Sequence, residues 1–263
     1  MAIGGVDLVA LSDRGFTTTP LLDADELDRA RRLWADLSVD PDASYHTTNV
    51  HEDRTTARRI DLELKTLMGP AAAKALPGHV PFLAAFILKG RHGGAVGLHP
   101  DWTYTDERRY RAVLFWCPIV DTDADNGTLH VIPGSHRWVR GLRGSGDFGS
   151  PVEGVADRLL ATHSETVPLR AGEAIVYDAA LLHGSAPSRS DRPRPAAALA
   201  VAPVAAPLVH FHREAGGPVE GYLIDESYYT TQPHAARPVG ARRLDPWDEP
   251  VRPIVGEGRP PPG

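Results

Sequence analysis

The sequence has a single cysteine, Cys117, and only three lysines, Lys65, Lys74 and Lys89. One cysteine cannot form a disulfide within the chain, which is typical of proteins from a reducing compartment. No apolar run approaches the roughly 20 residues that a membrane-spanning helix needs. The first residues lack a basic stretch ahead of their apolar part, so we expect no signal peptide. These absences favour a cytoplasmic protein without a membrane partner.

An excess of basic residues is also missing. The 263 residues carry 28 basic and 34 acidic side chains, for a formal net charge of -6. Because binding to phosphate groups requires a basic surface, we expect no nucleic-acid partner. The hydrophobic fraction of 42% and the charged fraction of 24% are ordinary for a globular protein. Nothing in the composition predicts the oligomeric state.

The N-terminal part has the pattern of two amphipathic helices. Apolar residues recur at helical spacing over residues 21–37, where Asp23 and Glu26 have the spacing of a capping box. A second helix is predicted over residues 61–76, before a Pro-Gly pair. The polar segment 45–59 between them has no clear periodicity. We therefore predict a helical region over residues 1–80.

From residue 81 the pattern changes to short apolar runs separated by Gly, Pro, Asn and Asp. Such runs predict a sandwich or barrel of strands, and Asn126-Gly127 predicts a tight turn. We predict a mainly β protein with flanking helices, in which one domain spans residues 1–244. Its β core would occupy residues 81–205, followed by a cap over 206–244. The Pro/Gly-rich residues 245–263 are expected to form a loosely attached tail.

His99 and Asp101, in the sequence LHPDW, are candidate metal ligands. Residues i and i+2 of a strand project from the same face, so both side chains could reach one ion. With a distant second histidine they would form the 2-His-1-carboxylate site of non-haem iron(II) oxygenases. The pattern alone is weak, and His51-Glu52-Asp53 resembles it; there we expect a solvated surface histidine. The location of His99 and Asp101 between apolar strands, after a Gly-rich turn, distinguishes them.

His183 is the expected second histidine, because it follows the strand-like run EAIVYDA. Arg194 follows eleven residues later and begins another apolar run. An arginine at that position could enter the barrel and bind a carboxylate with two hydrogen bonds, as a 2-oxoglutarate co-substrate would require. Arg189 and Arg192 compete for this role, and all three could instead be surface charges.

Four stretches of the chain, within about residues 10–205, resemble the phytanoyl-CoA dioxygenase family of iron(II)- and 2-oxoglutarate-dependent oxygenases. They are LSDRGFTTTPLLDADEL, LKGRHGGAVGLHPDW, FWCPIVDTDADNGTLHVIPGSH and AGEAIVYDAALLHGSAPSRSDRPR. The resemblance implies a double-stranded β-helix (jelly-roll, cupin-like) fold. Pro100 and Ser188 depart from residues that are common in the family, but neither is a candidate ligand.

By motif position the resemblance also implies a set of site residues. Iron(II) would be bound by His99, Asp101 and His183. The carboxylate of 2-oxoglutarate would be bound by Arg194, with Lys89 and Trp116 as neighbours of the co-substrate. From the residues alone, Lys89 could equally be a surface lysine and Trp116 a core aromatic residue.

The implied activity is oxidation of a small organic substrate by O2, with 2-oxoglutarate converted to succinate and CO2. Asp101 favours hydroxylation over halogenation, because related halogenases have a small residue in place of the carboxylate. Two alternatives remain: a jelly-roll protein that binds a metal or ligand without turnover, and a metal-dependent isomerase or hydrolase. The arginine-, alanine- and proline-rich composition suggests a GC-rich bacterial genome and favours natural-product (secondary) metabolism.

Candidate substrate-binding residues are less well defined. Trp102 and Tyr104 follow the metal ligands and could line a pocket, or belong to the core. His46, Asn49 and Arg58 lie in the polar segment 45–59 and could contact substrate, or be solvated. If that segment folds over the metal site as a lid, its arginines would suit an anionic substrate.

Overall fold

The structure is a computed structural model that describes residues 5–233 and 235–254. The helices are α1 (Leu8–Arg14), α2 (Ala24–Ala35), α3 (Thr48–His51), α4 (Arg54–Ala75), α5 (Ala156–His163) and α6 (Tyr228–Thr231). The strands are β1 (Phe16–Pro20), β2 (Tyr45–Thr47), β3 (His79–Lys89), β4 (Val96–His99), β5 (Val113–Pro118), β6 (Leu129–Val131), β7 (Ser145–Gly146), β8 (Glu165–Thr166), β9 (Glu173–Asp178), β10 (His183–Ser185), β11 (Arg194–Pro203), β12 (Leu208–Arg213), β13 (Val219–Ile224) and β14 (Arg242–Leu244). Within the described ranges no helix is both long and apolar enough to cross a membrane.

Two sheets form the β core. A six-stranded sheet has the order β1-β9-β5-β11-β3-β2, and a four-stranded sheet has the order β4-β10-β6-β8. Their inner faces share one apolar cluster, in which Trp116 and Ile175 of the larger sheet join Leu129 and Val131 of the smaller one. The mainly β fold predicted from the sequence is therefore confirmed, although β1 and β2 of the larger sheet precede the predicted core of residues 81–205. A third sheet, β14-β13-β12-β7, lies in the C-terminal part.

Helices α2 and α4 cover the outer face of the six-stranded sheet. Ala30 of α2 and Leu64 of α4 are fully buried in one cluster with Phe115 of β5 and Leu199 of β11. The capping box at the start of α2 is present, because the Asp23 side chain accepts a hydrogen bond from the backbone of residue 26 and the return bond is also made. The prediction that helices pack outside the β core is confirmed.

The N-terminal region is less helical than predicted. Strands β1 and β2 form the two edges of the six-stranded sheet. Helix α4 begins at Arg54 and not at residue 61, because the Asp53 carboxylate accepts hydrogen bonds from the backbone N–H groups of Thr55 and Thr56. Segment 45–59, whose sequence has no clear periodicity, therefore contains strand β2, the short helix α3 and the start of α4.

The expectation of a loose tail is wrong for residues 245–254. Pro250 forms a bridge with Leu142, and the Trp247 ring lies 4.9 Å from the Phe211 ring. Residues 255–263 lie outside the described part of the chain.

The tight turn predicted at Asn126-Gly127 is confirmed: Gly127 has a φ of +74°, a left-handed conformation that glycine adopts without strain.

Candidate metal centre and adjoining cavity

The structure brings the three predicted metal ligands together. His99, at the end of β4, lies directly opposite His183, at the start of β10. Asp101 lies just beyond β4, where its backbone N–H donates a hydrogen bond of 2.8 Å to the carbonyl of Ala179. One candidate ligand atom from each of the three residues lies within 4.8 Å of the other two. Asp101 reaches the site from a loop and not from the strand on which it was expected.

Both imidazoles are oriented by the backbone. Nδ1 of His99 donates to the carbonyl of Gly97 at 2.7 Å, and Nδ1 of His183 donates to the carbonyl of Leu181 at 3.0 Å. A carbonyl oxygen only accepts, so each ring keeps an unprotonated Nε2 for a metal. Burial lowers the pKa of His183 to about 4, and the neighbouring His99 contributes to the shift. His183 is therefore neutral near pH 7, as a metal ligand must be.

The Asp101 carboxylate supplies the negative charge of the site. Its Oδ2 is buried and has no hydrogen-bond partner among the described residues, and it lies 3.9 Å from Nε2 of His183. An unpaired carboxylate oxygen is costly to bury. A divalent cation bound by this oxygen and the two imidazoles would remove that cost. The donor set and its orientation therefore fit iron(II).

Tyr177 of β9 lies beside this carboxylate. The Asp101 charge acts on its hydroxyl, and its ring lies 4.8 Å from that of His183. Burial and the Asp101 charge raise the pKa of Tyr177 well above its usual value, so the hydroxyl stays protonated and is available as a donor. Tyr177 can thus fix the orientation of one metal ligand.

A buried ion pair holds the loop that carries Asp101. Arg143 is 3% exposed, and its Nε donates to the backbone carbonyl of Asp101 at 2.7 Å. The guanidinium also makes two hydrogen bonds to the Glu107 carboxylate. Because a guanidinium and a carboxylate pair in a fixed plane, this contact restricts the loop to one position.

Arg194 and Lys89 provide positive charge between the sheets. Arg194 begins β11 opposite Lys89 of β3, and the two residues are 2% and 0% exposed. Nε and Nη1 of Arg194 are buried without a hydrogen-bond partner among the described residues. The guanidinium carbon lies 4.8 Å from the centre of a Trp116 ring. All three candidate co-substrate residues therefore lie together on the inner face of the larger sheet.

The other candidate arginines lie on the surface. Arg189 is exposed and pairs with Asp125, and Arg192 is exposed. Of the three alternatives, only Arg194 enters the barrel. Burial lowers the pKa of Arg194 to about 10, and burial together with Arg194 lowers the pKa of Lys89 to about 8. Both shifts oppose positive charge, and a bound dicarboxylate would relieve them.

A cavity of about 380 Å³ opens beside His99 and Asp101. Three of the predicted substrate-binding residues, Trp102, Tyr104 and Asn49, line it. The remaining lining residues are Tyr45, Thr47, Val50, His51, Leu83, Ala84, Ala85, Ile87, Pro100, Leu114, Ala198, Ala200 and Tyr229. The cavity is thus largely apolar and adjoins the candidate metal centre.

Two predicted substrate-binding residues do not line this cavity. Nε2 of His46 lies 3.0 Å from the Glu52 carboxylate, and the ring stacks on His51. Arg58 is exposed on α4 and lines a separate surface depression. Residues 45–51 of the segment considered as a lid contribute to the cavity lining, but its arginines belong to α4 and do not line the cavity. The Arg54 side chain instead donates to the backbone carbonyls of Asn49 and Gln232.

Several residues of this region were not predicted from the sequence: Tyr45, Arg143, Tyr177 and Tyr229. They reach the site from β2, a loop, β9 and α6. Tyr45 lay in the segment considered for substrate contact, and Tyr229 lay in the predicted cap over residues 206–244. No motif in the sequence signals the others, because their roles depend on contacts between distant parts of the chain.

His210 and His212 are two residues apart on β12, so their side chains lie on the same face of that strand. Ser145 Oγ bridges them, at 2.7 Å from Nε2 of His210 and 2.8 Å from Nδ1 of His212. Among the described residues, the group formed by His99, Asp101 and His183 is the one cluster with metal-ligand geometry. The histidine pair is satisfied by the serine hydroxyl.

Comparisons with known proteins agree with this geometry. A family model described as phytanoyl-CoA dioxygenase (PhyH) matches residues 21–196. The non-heme alpha ketoglutarate dependent carbocyclase SnoK from nogalamycin biosynthesis is 15% identical, with 76% of this chain and 84% of that chain covered and a TM-score of 0.58.

Two further solved structures are similar. EvdO2 from Micromonospora carbonacea var. aurantiaca, complexed with 2-oxoglutarate, is 19% identical over 77% of this chain and 93% of that chain, with a TM-score of 0.55. EctD from S. alaskensis, with 2-oxoglutarate and 5-hydroxyectoine, is 21% identical over 76% of each chain, with a TM-score of 0.53. At these identities the likeness shows the fold, and it confirms the predicted jelly roll.

Proposed function

The chain belongs to the phytanoyl-CoA dioxygenase family of non-haem iron(II)- and 2-oxoglutarate-dependent oxygenases, and we propose that it hydroxylates a small organic substrate. The observation that carries the proposal is the buried Oδ2 of Asp101, which has no hydrogen-bond partner in the described part of the chain and lies 3.9 Å from Nε2 of His183 beside a largely apolar cavity. The proposed reaction converts substrate, O2 and 2-oxoglutarate into hydroxylated product, succinate and CO2.

His99, Asp101 and His183 are the proposed iron ligands, and Arg194 is the proposed anchor of the distal carboxylate of 2-oxoglutarate. Lys89 would add a second positive charge at that carboxylate. Trp116 would hold the guanidinium in place through its ring, at the 4.8 Å separation described above. The buried nitrogens of Arg194 that lack partners support this assignment.

Iron(II) with 2-oxoglutarate and O2 supplies an oxidant strong enough to break an unactivated C–H bond. The residues of the chain contribute binding, orientation and exclusion of water. Tyr177 would orient Asp101, and the cavity would hold the substrate beside the metal face. Asp101 fills the ligand position that a halide would need, which supports hydroxylation over halogenation.

A place in bacterial natural-product metabolism is part of the proposal. It is supported by the composition and by the likeness to SnoK, which comes from nogalamycin biosynthesis. We propose a small molecule as the partner and the cytoplasm as the location, in keeping with the one buried, unpaired cysteine. Because SnoK is a carbocyclase, ring closure is the alternative outcome, and product analysis distinguishes the two.

Anaerobic titration of the metal-free protein with iron(II) and 2-oxoglutarate tests the cofactor roles. We expect a visible metal-to-ligand charge-transfer band that is absent in His183→Ala and needs much more 2-oxoglutarate in Arg194→Ala. Arg189→Ala is the matched control, because that arginine is exposed, and it should behave as wild type. Iron binding without any band in wild type would instead support a binding protein without turnover.

A further inference from the structure

The inner face of the larger sheet forms the floor of the cavity, with small side chains at its centre. Ala198 of β11 lies opposite Ala85 of β3, and Ala200 lies opposite Leu83. Directly opposed residues in antiparallel strands share one face, so these side chains all point toward the smaller sheet. On the other side of β11, Ala200 is opposite Leu114. Alanines at the centre leave a shallow slot bounded by larger aliphatic side chains.

Aromatic rings form the wall above this floor. Tyr104 and Tyr229 are 5.9 Å apart in an edge-to-face arrangement, and each also packs on Phe82. Trp102 and Tyr45 line the same cavity. Packed rings hold their positions and present apolar surface at low entropic cost. A substrate with a rigid ring system would contact both the floor and this wall.

The polar lining residues include Thr47, Asn49, His51 and Tyr229, and the buried Tyr229 hydroxyl has no hydrogen-bond partner among the described residues. Thr47 donates a hydrogen bond of 2.6 Å to Oδ1 of Asn49, which fixes the orientation of that amide. No hydrogen bond from the Asn49 amide nitrogen to another described residue is present, so this nitrogen is available to donate to a ligand. Among the described lining residues there is no lysine or arginine, and Asp101 is the one carboxylate. A substrate carboxylate would therefore find no lysine or arginine to pair with in this lining, and burying a carboxylate without such a partner is unfavourable.

We infer that the cavity binds an uncharged, flat, ring-bearing substrate, which lies on the alanine floor with one oxygen accepting a hydrogen bond from Asn49. This inference rests on the proposed function, because it names the substrate class of that same site. It also replaces the expectation of an anionic substrate, since Arg58 and its neighbours face away from the cavity. The cavity volume of about 380 Å³ lies within the range of roughly 300–1,000 Å³ found for small-molecule sites.

Three probes of nearly equal shape test the charge preference. They are 2-acetylnaphthalene, which is uncharged, 2-naphthoate, which is an anion, and trimethyl(2-naphthyl)ammonium, which is a cation. Binding is measured by anaerobic calorimetry on protein loaded with iron(II) and 2-oxoglutarate, and the charge-transfer band is recorded in the same sample. We expect the ketone to bind at least about tenfold more tightly than either ion.

Two variants test the assigned contacts. Asn49→Ala should weaken binding of the ketone by about fivefold but leave 2-ethylnaphthalene, which has no carbonyl, unchanged. Ala198→Leu should weaken both probes at least about tenfold by filling the slot, while the charge-transfer band persists. Arg58→Ala, on an exposed face of α4, is the control and should change neither affinity.

Equal or tighter binding of either ion, or no binding of the ketone to protein that shows the band, would overturn the inference. Unchanged affinity of both probes in Ala198→Leu would do the same. If wild type shows no band, the cofactor proposal fails by itself, and titration of the ketone and the two ions into the metal-free protein still decides the charge preference of the cavity. The two failures are thereby distinguishable.

Discussion

Lys89 and Arg194 lie directly opposite each other on β3 and β11, with both side chains almost completely buried. Like charges in directly opposed positions of a sheet destabilise it, and burial adds to the cost. The only hydrogen bond from the Lys89 ammonium among the described residues goes to the carbonyl of Gly94. This arrangement is unfavourable in the empty protein and becomes favourable when a dicarboxylate binds. We expect such a site to trade stability for ligand affinity.

Replacing Lys89 by methionine should therefore stabilise the metal-free protein while weakening 2-oxoglutarate binding. The pKa of Lys89 falls from 10.5 in the unfolded chain to about 8 in the folded protein, so folding makes the charged form less favourable than it is in the unfolded chain, and its removal should add about 2 kcal/mol to the free energy of unfolding. Loss of the bond to Gly94 costs little, because that residue is exposed and water can replace the ammonium. Urea denaturation measures the stability, and iron(II)/2-oxoglutarate titration measures the affinity.

Lys74→Met is the matched control for this change, because Lys74 is an exposed residue at the end of α4. It should leave both the unfolding free energy and the 2-oxoglutarate affinity unchanged. A Lys89→Met protein that is less stable than wild type would show that the ammonium contributes favourably to the empty fold, contrary to our argument.

The affinity for 2-oxoglutarate should depend on pH through the same lysine. In the empty protein Lys89 is protonated below its pKa of about 8 and loses its charge as the pH rises through that value. A bound carboxylate favours the protonated form, so binding above pH 8 must take up a proton. We expect binding about tenfold weaker at pH 9 than at pH 7. The stability of the empty protein should show the opposite trend and rise between pH 8 and 10.5, because the unfolded chain then binds more protons.

Titrations at several pH values, in wild type and in Lys89→Met, isolate this contribution. The methionine variant should lose the part of the pH dependence that begins near pH 8. If both proteins weaken in parallel, the dependence arises elsewhere, for instance at the metal ligands.

Tyr177→Phe should weaken metal binding without unfolding the protein. The change removes only the hydroxyl on which the Asp101 charge acts. Partners that orient a metal ligand typically contribute 10- to 100-fold in affinity, and we expect a loss near the lower limit, about tenfold. Anaerobic titration with iron(II), or with cobalt(II) as a spectroscopic substitute, measures it.

Tyr222→Phe is a suitable comparison, because the Tyr222 hydroxyl donates to Glu220 at 2.8 Å in the C-terminal sheet. It should bind metal as wild type does. Equal metal affinities of the Tyr177 variant and wild type would mean that the backbone alone orients Asp101.

The metal ligands could be predicted from sequence because each is part of a short sequence pattern that can be recognised locally. His99 and Asp101 are two residues apart, and His183 comes five residues after the end of β9 at Asp178. The start of α4 was misplaced, since its capping residue Asp53 lies in a polar stretch where periodicity gives no signal. Because of that error Arg58 was considered as a substrate contact, although α4 places it on the protein surface.

The supporting contacts could not be predicted, because they join parts of the chain that are far apart in sequence. Tyr177 reaches Asp101 across 76 positions, and Arg143 reaches the same residue across 42. Neither distance nor direction of such contacts follows from local patterns. The Pro- and Gly-rich composition of residues 245–254 was likewise misleading, because these residues pack on the core through Trp247 and Pro250.

Arg143→Met should both destabilise the protein and weaken metal binding. The change leaves the Glu107 carboxylate partly buried without its partner and frees the Asp101 carbonyl. Removing one member of a buried ion pair typically costs about 3–5 kcal/mol, and we expect about 3 kcal/mol because Glu107 retains some access to solvent. Asp101 would then sample several positions, so metal affinity should fall further than in Tyr177→Phe.

Arg108→Met is the control, since Arg108 forms an exposed pair with Asp106, and exposed pairs contribute at most about 1 kcal/mol. Urea denaturation with and without bound metal separates the two effects. A protein that is destabilised but binds metal as tightly as wild type would show that the ion pair supports the fold and not the position of Asp101.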